Sequence, residues 1–191
     1  MQYIHIARMK LQDMCEIRMG YAFRSGIKHS PAGNIPVIQP KDIDNNGILQ
    51  VEDVYRVEMS EVNPEHILKS GDVLLSNRGR FAATTYTGQI ETCVASGALL
   101  VLTVKKDAPV LPEYLTLYFN SQEGKRQLGR LDQTTTIPHI SRKNLEQIDM
   151  PVPPIERQET LVALERAKLL YTTLTNRKIE LTNNIINQQL I

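Results

Sequence analysis

The side chains in this sequence best suited to chemistry are those that read hydrogen-bond patterns. Ser76-Asn77-Arg78-Gly79-Arg80 places one amide and two guanidiniums within five positions. Arginine pairs bidentately with guanine, and asparagine or glutamine with adenine, so an exposed loop of this composition could address base edges. Gln133-Thr134-Thr135-Thr136, just before Ile137-Pro138-His139, adds further hydrogen-bonding groups and methyls suited to thymine contact. The competing reading makes Arg78, Arg80 and Arg142 ordinary solvated surface charges, and composition by itself favours that reading.

Covalent and metal chemistry find less support. Glu113 with Glu123-Gly124-Lys125 imitates a nuclease carboxylate-lysine pattern, but it falls on an expected helix rather than on paired strands. The four histidines, His5, His29, His66 and His139, are scattered, with no i, i+4 pair and no clustered carboxylates or thiols to complete a metal site. There is no phosphate-binding glycine loop and no dinucleotide or methyl-donor glycine motif. Ala95-Ser96-Gly97 lacks the glycine two residues before serine that a nucleophile elbow requires. His139 beside Arg142 reads as a structural or DNA-contacting imidazole rather than a general base. Elimination favours a binding protein that needs no cofactor and no metal, with an interaction adaptor and an enzyme of unrecognised site as the alternatives.

Charge supports binding only locally. Lys and Arg total 22 against 21 Asp and Glu, a net charge of +1 that gives no global sign of a nucleic acid or membrane partner. The charges are nonetheless segregated. Residues 17–41 carry Arg18, Arg24, Lys28 and Lys41 and no acid, whereas residues 42–72 carry eight acids against Arg56 and Lys69. Residues 124–145 are basic again, with Lys125, Arg126, Arg130, Arg142 and Lys143 against Asp132 alone. If the basic segments share a face, counterion release lets the fold attract a phosphate backbone despite the neutral average.

The elements that must position these groups can be read in outline. With 191 residues and 41% hydrophobic content, the chain fits one domain of ordinary size and an appendage. A short strand is expected at residues 4–6, with Leu11, Met14 and Ile17 starting the core. Residues 20–40 are turn-rich around a strand at 36–38, and Asn45-Asn46-Gly47 marks a tight turn before a strand over 48–57. Further strands are expected at 72–76 and 98–104. The continuous Ala-Leu-Leu-Val-Leu-Thr-Val run of the latter suits a central strand buried on both faces. Pro112 opens a helix that continues to Leu131 with Leu115, Tyr118 and Phe119 inward, and Ser141 caps a short helix ending at Gln147. Cys15 and Cys93 are too few for a disulfide framework and read as reduced thiols of an intracellular, most simply cytoplasmic, protein. No segment approaches 18 apolar residues, and the N-terminus has no signal-peptide pattern, so no membrane partner is expected.

Pro151-Val152-Pro153-Pro154 reads as a hinge, and the residues beyond it contain neither proline nor glycine. A continuous helix there is roughly 57 Å long at about 1.5 Å per residue. Leu161, Leu164, Ala167, Tyr171, Leu174, Lys178, Leu181, Ile185 and Gln188 follow the three-four spacing of a coiled-coil seam, interrupted at Lys178 and Gln188. Leu170, Ile179, Ile186 and Leu190 lie beside the seam, which leaves room for more than one neighbour. A helix folded back on its own domain is the alternative, and its length argues against it.

Taken in order, several segments resemble one half of a type I restriction-modification DNA specificity (S) subunit. They are Ile35-Pro36-Val37-Ile38-Gln39-Pro40-Lys41-Asp42-Ile43, Gly71-Asp72-Val73-Leu74-Leu75-Ser76-Asn77-Arg78-Gly79, Pro112-Glu113-Tyr114-Leu115, and Thr136-Ile137-Pro138-His139-Ile140-Ser141 through Leu145. Met150-Pro151-Val152-Pro153-Pro154-Ile155-Glu156-Arg157-Gln158, running into the long helix, is the most telling. The resemblance implies a non-catalytic protein with an α+β (mixed α/β) target-recognition domain over 1–150, a proline hinge at 151–154, and a conserved-region helix over 155–191 that forms a coiled coil. It also implies partners: double-stranded DNA, a DNA methyltransferase (M) subunit, and a restriction (R) subunit that such a complex can admit. The family pattern usually has two domain-helix units and this sequence has one, so pairing with a second copy of itself or another half S subunit is expected. Within that frame Asn77, Arg78, Arg80, Gln133, Thr134, Thr135 and Arg142 are the candidates for base or near-base contacts. Arg24, Lys28, Lys41, Arg130 and Lys143 are the candidate phosphate partners.

Overall fold

The apolar run ending at Val104 forms the strand around which the other elements are arranged. The computed structural model describes residues 6–131 and 139–189. In chain order its first half comprises β1 (Ala7–Lys10), α1 (Leu11–Met14), β2 (Cys15–Met19), β3 (Ile35–Ile38), β4 (Tyr55–Val57), β5 (Val73–Ser76), β6 (Ala83–Thr85) and β7 (Val94–Ala95). Then come β8 (Leu99–Val104), α2 (Pro112–Asn120), α3 (Gln122–Leu131), α4 (Arg142–Glu146), β9 (Asp149–Val152) and α5 (Ile155–Gln189). The result is a mixed α+β domain followed by one long C-terminal helix.

The main sheet has the order β2-β8-β5-β6 and is antiparallel throughout, with β8 bonded on one edge to β2 and on the other to β5. Successive strand residues point to opposite faces. Leu100 and Leu102 therefore pack with Val73, Leu75, Leu115, Phe119, Leu128 and Leu145 on the helical side. Leu99 and Val101 pack with Leu74, Ile38, Ile43, Leu68 and Tyr86 on the other. Two covered faces explain a run with no polar interruption before Thr103. A second sheet, β4-β3-β7, pairs β3 in parallel with β7, and β1 pairs with β9.

Four expectations from the sequence need correction. The first strand among the described residues lies at Ala7–Lys10; of the strand expected at 4–6, Ile6 is exposed coil and residues 4 and 5 are outside the described residues. The strand expected over 48–57 shrinks to Tyr55–Val57. Asp44 Oδ1 accepts from the amides of Asn46 and Ile48 at 2.8 Å, closing a local turn, and Leu49 makes only an isolated bridge to Ile43. The helix expected from 112 to 131 is two helices. Ser121 has extended backbone, donates from its hydroxyl to Tyr118 O at 2.6 Å and accepts from Gly124 N at 3.1 Å, so it ends one helix and caps the next. A Cβ on Gly124 would lie 2.0 Å from Tyr118 O, so this close turn requires glycine.

The fourth correction concerns the hinge. Pro151 and Val152 belong to β9, opposite Arg8 and Ala7, and Tyr114 OH donates to Pro151 O at 3.1 Å. The base of α5 is clamped as well. Fully buried Gln158 donates from Nε2 to Pro109 O and Pro153 O, both at 2.8 Å, and accepts at Oε1 from Leu111 N at 2.8 Å. Val162 is buried against the core beside it. The proline segment read as a hinge is therefore held by strand pairing on one side and by the Gln158 amide on the other.

Candidate nucleic-acid interface

The groove that could take a polyanion is built by the loop that follows β2. Gly20 lets the chain leave that strand against the end of β7, since a Cβ there would lie 2.0 Å from Ser96 O. Tyr21 N then donates to Ala95 O at 2.7 Å, and the loop carries Arg24 and Lys28 outward while Tyr21 and Phe23, packed against the cluster of Val57 and Val94, line the groove from within. The opposite wall is Val57 to Met59 and His66, and Arg142 closes one end from the first turn of α4. Together they enclose about 1060 Å³. An adjoining cavity of about 490 Å³, between Gln12, Glu16, Thr103, Lys105 and Glu146, shares Arg18 and Arg142 with the first.

The groove is cationic with an aromatic wall. Arg24 and Lys28 make no side-chain hydrogen bond or ion pair among the described residues, so their charge is available to a ligand. Arg142 Nε donates to Glu146 at 2.7 Å but is more than half exposed. Tyr21 lies with its ring centroid 4.7 Å from Phe23 and 5.2 Å from His66. Glu58 is the acid on this wall and Glu16 and Glu146 belong to the smaller cavity.

Arg24, Lys28 and Arg142, chosen from the sequence, come together here. Lys143 is exposed one position further along α4, and Arg130 is exposed at the end of α3. Arg78 is exposed in a tight turn where Ser76 Oγ donates to Arg78 O at 2.8 Å and Gly79 has φ +66°. An isolated bridge joins Arg78 to His139, which brings that turn beside the approach to α4.

Three candidates are placed elsewhere. Asn77 is fully buried, with Nδ2 donating to Gly97 O at 3.3 Å, so the expectation that it reads a base is corrected: the amide supports the loop from inside. Arg80 donates to Asn45 Oδ1, to Ile43 O at 2.6 Å and to Asp44 O at 3.2 Å, which spends its fork on the neighbouring turn. Lys41 pairs with Asp42 at 2.6 Å and lies 4.2 Å above the Tyr55 ring. Gln133, Thr134 and Thr135 lie outside the described residues. Arg18, Tyr21, Phe23 and His66 were missed; the interleaving of aromatic and basic residues over 18–24 was the available signal.

The thiols have no chemistry to offer. Burial pushes Cys15 up to about 12 and raises Cys93, whose Sγ donates to Tyr86 OH at 3.2 Å, so both stay protonated at neutral pH. Among the described residues no cluster of histidine, cysteine and carboxylate could hold a metal ion, and no helix is long and apolar enough to cross a membrane.

The sequence model of the type I restriction modification DNA specificity domain matches residues 5–189. The chain belongs to this family. The family is described by specificity for DNA, and the groove offers charge and aromatic surface. The specificity domain is 24% identical over 158 residues to the type I restriction enzyme MjaIX specificity subunit of Methanocaldococcus jannaschii, an alignment covering 81% of this chain and 36% of that protein. The crystal structure of the HsdS subunit from Thermoanaerobacter tengcongensis matches with TM-score 0.62 and 19% identity, over 93% of this chain and 40% of that one. A chain from a study of complex assembly and conformational transition of the type I R-M system gives TM-score 0.64 at 20% identity, over 90% and 40%. The S subunit from M. genitalium gives 0.59 at 10%, over 86% and 39%. These likenesses establish the fold, and the chain spans about two-fifths of the length of each relative.

Proposed function

We propose that this chain is the DNA-reading component of a type I restriction-modification system, and that it directs methyltransferase subunits, with an accompanying restriction subunit, to a bipartite site in cytoplasmic DNA. The observation that carries this reading is the convergence of Arg24, Lys28 and Arg142 on one groove, from segments far apart in sequence, in a chain of the specificity family. Exposed Arg24 and Lys28, without a side-chain partner among the described residues, suit phosphate contacts, with Lys143 and Arg130 extending the basic track. Arg78, bridged to His139, and Arg142, three positions further along the chain, are the candidates to enter a DNA groove beside them.

Residues 1–150 are the recognition unit in this reading, 151–154 the joint and 155–191 the assembly helix. The seam is symmetric: Leu164 with Gln188, Ala167 with Ile185, Tyr171 with Leu181, and Leu174 with Lys178 all share a midpoint at Asn176. Leu164, Tyr171 and Leu174 are 67%, 74% and 61% exposed, so beyond Leu161, which packs on the core, this part of the seam has no cover among the described residues. An antiparallel two-fold pair of helices would cover it, bringing together two recognition domains that read symmetric half-sites. The neighbouring exposed Ile179 and Ile186 leave a second face for a methyltransferase subunit.

Co-expression with a methyltransferase subunit, followed by sequencing of methylated bases, tests the reading. A bipartite palindromic motif is expected. An intact complex with no methylated motif would overturn DNA reading and favour an adaptor role.

A further inference from the structure

Arg18 stands where the two cavities meet and lines both of them. It is also the groove cation held by a buried anion. Its side chain is 28% exposed, whereas that of its partner Asp72 is 1% exposed. Asp72 Oδ2 accepts from Arg18 Nη2 at 3.0 Å and from Lys69 N at 3.0 Å, and Oδ1 accepts from Thr103 Oγ1 at 2.6 Å. Asp72 itself is fixed at the start of β5, with its carbonyl accepting from Tyr86 N at 2.8 Å and its amide donating to Lys69 O at 2.9 Å. The carboxylate cannot follow a moving guanidinium, so the guanidinium must stay with the carboxylate.

A guanidinium has five N–H donors. Nη2 serves Asp72 and, at 3.4 Å, Ile67 O, while Nε and Nη1 have no partner among the described residues. Arg18 thus lines both cavities with a head held at Nη2 and with donors unspent among the described residues. Arg24 and Lys28 are free to follow a phosphate wherever it lies, which neutralises charge without choosing a sequence. A base edge demands donors at set positions, and ordering them before binding lowers the entropic cost of contact.

We propose that Arg18 is a specificity-determining residue that contacts a guanine edge, and that Asp72 is the positioning residue that aims it. This rests on the DNA-reading function proposed above. Arg18→Lys keeps a cation for Asp72 but removes the planar fork. Asp72→Asn keeps an oxygen acceptor but removes the anion.

The test uses the chain in complex with its methyltransferase subunit. The motif methylated by the wild type is mapped first, and affinities are then measured for duplexes carrying it and each single-position substitution. Wild type should discriminate at one guanine by roughly 5-fold or more, the lower end of the range for an arginine–guanine contact, because both forks of the guanidinium share Nη2 and the free Nε and Nη1 donate singly. Arg18→Lys should lose that discrimination while keeping preferences elsewhere and the salt dependence of binding. Asp72→Asn should relax the same position, a result that mere loss of stability would not confine to one base pair. Should Asp72→Asn fail to fold, Arg18→Lys still decides. If the wild type methylates a motif and Arg18→Lys keeps every preference, the inference is wrong and the DNA-reading function stands. If the wild-type complex forms and methylates no motif, the function beneath it fails as well.

Discussion

Gln158 and Asn77 are both buried amides in a chain whose surface is full of amides, and each shows what one side chain decides. Gln158 satisfies three backbone groups at the root of α5. Gln158→Ala would strand an amide and two carbonyls, and should cost about 2 to 4 kcal/mol in urea unfolding, well above a surface substitution. Asn77 has the residue type and neighbours of a base-reading loop, yet it points inward to Gly97 O. Residue type is identical whether an amide meets water, DNA or a carbonyl, so the inward turn was not legible. Ser141 was legible, because its cap acts within four residues: it accepts from Asn144 N at 3.1 Å. The buried Cys15 thiol gives a pH prediction. Its folded pKa is raised by desolvation, so its contribution is fully present below the ordinary thiol value and is lost as pH rises through 9 towards about 12. Native protein at pH 8 should resist alkylation at Cys15, and wild-type stability should fall faster above pH 9 than that of Cys15→Ala.

Among the elements, those with strong periodicity or an unbroken apolar run could be read in advance. The β8 run and the long helix were visible because each repeats one signal over its whole length. The break at Ser121 was not, since it depends on a hydroxyl and on a helix-to-helix approach that Gly124 permits. Nor was the loss of strand over 48–54, where the Asp44 turn takes amides that a ladder would use. The α5 helix has its docked side at Gln158 and Val162 and an uncovered apolar seam on another side. Tyr171→Asp with Leu174→Asp should therefore abolish self-association in light scattering while leaving the domain's unfolding midpoint nearly unchanged. Lys178→Leu should strengthen association, because an apolar residue then faces Leu174 across the two-fold axis.

At the scale of the whole molecule, the clamped joint matters more than any single contact. A free hinge would let each recognition domain find its half-site independently, and a bipartite motif could then tolerate variable spacing. The β9 pairing and the Gln158 clamp instead tie the domain to its helix, so in the proposed two-fold pair the helices would act as a ruler between domains. The seam's common midpoint at Asn176 makes the ruler adjustable by design of whole heptads. Removing residues 173–179, seven positions centred on that midpoint, preserves the three-four phase of the seam and shortens the antiparallel pair by about 10.5 Å at about 1.5 Å per residue. At about 3.4 Å per base pair along one strand, the unread spacer between half-sites should contract by about 3 base pairs. Sequencing of methylated bases with the shortened protein measures this directly: the half-site sequences should be retained while their separation falls. An unchanged spacer would show that the domains swivel on their helices, and loss of methylation with intact pairing would show that the methyltransferase itself sets the distance.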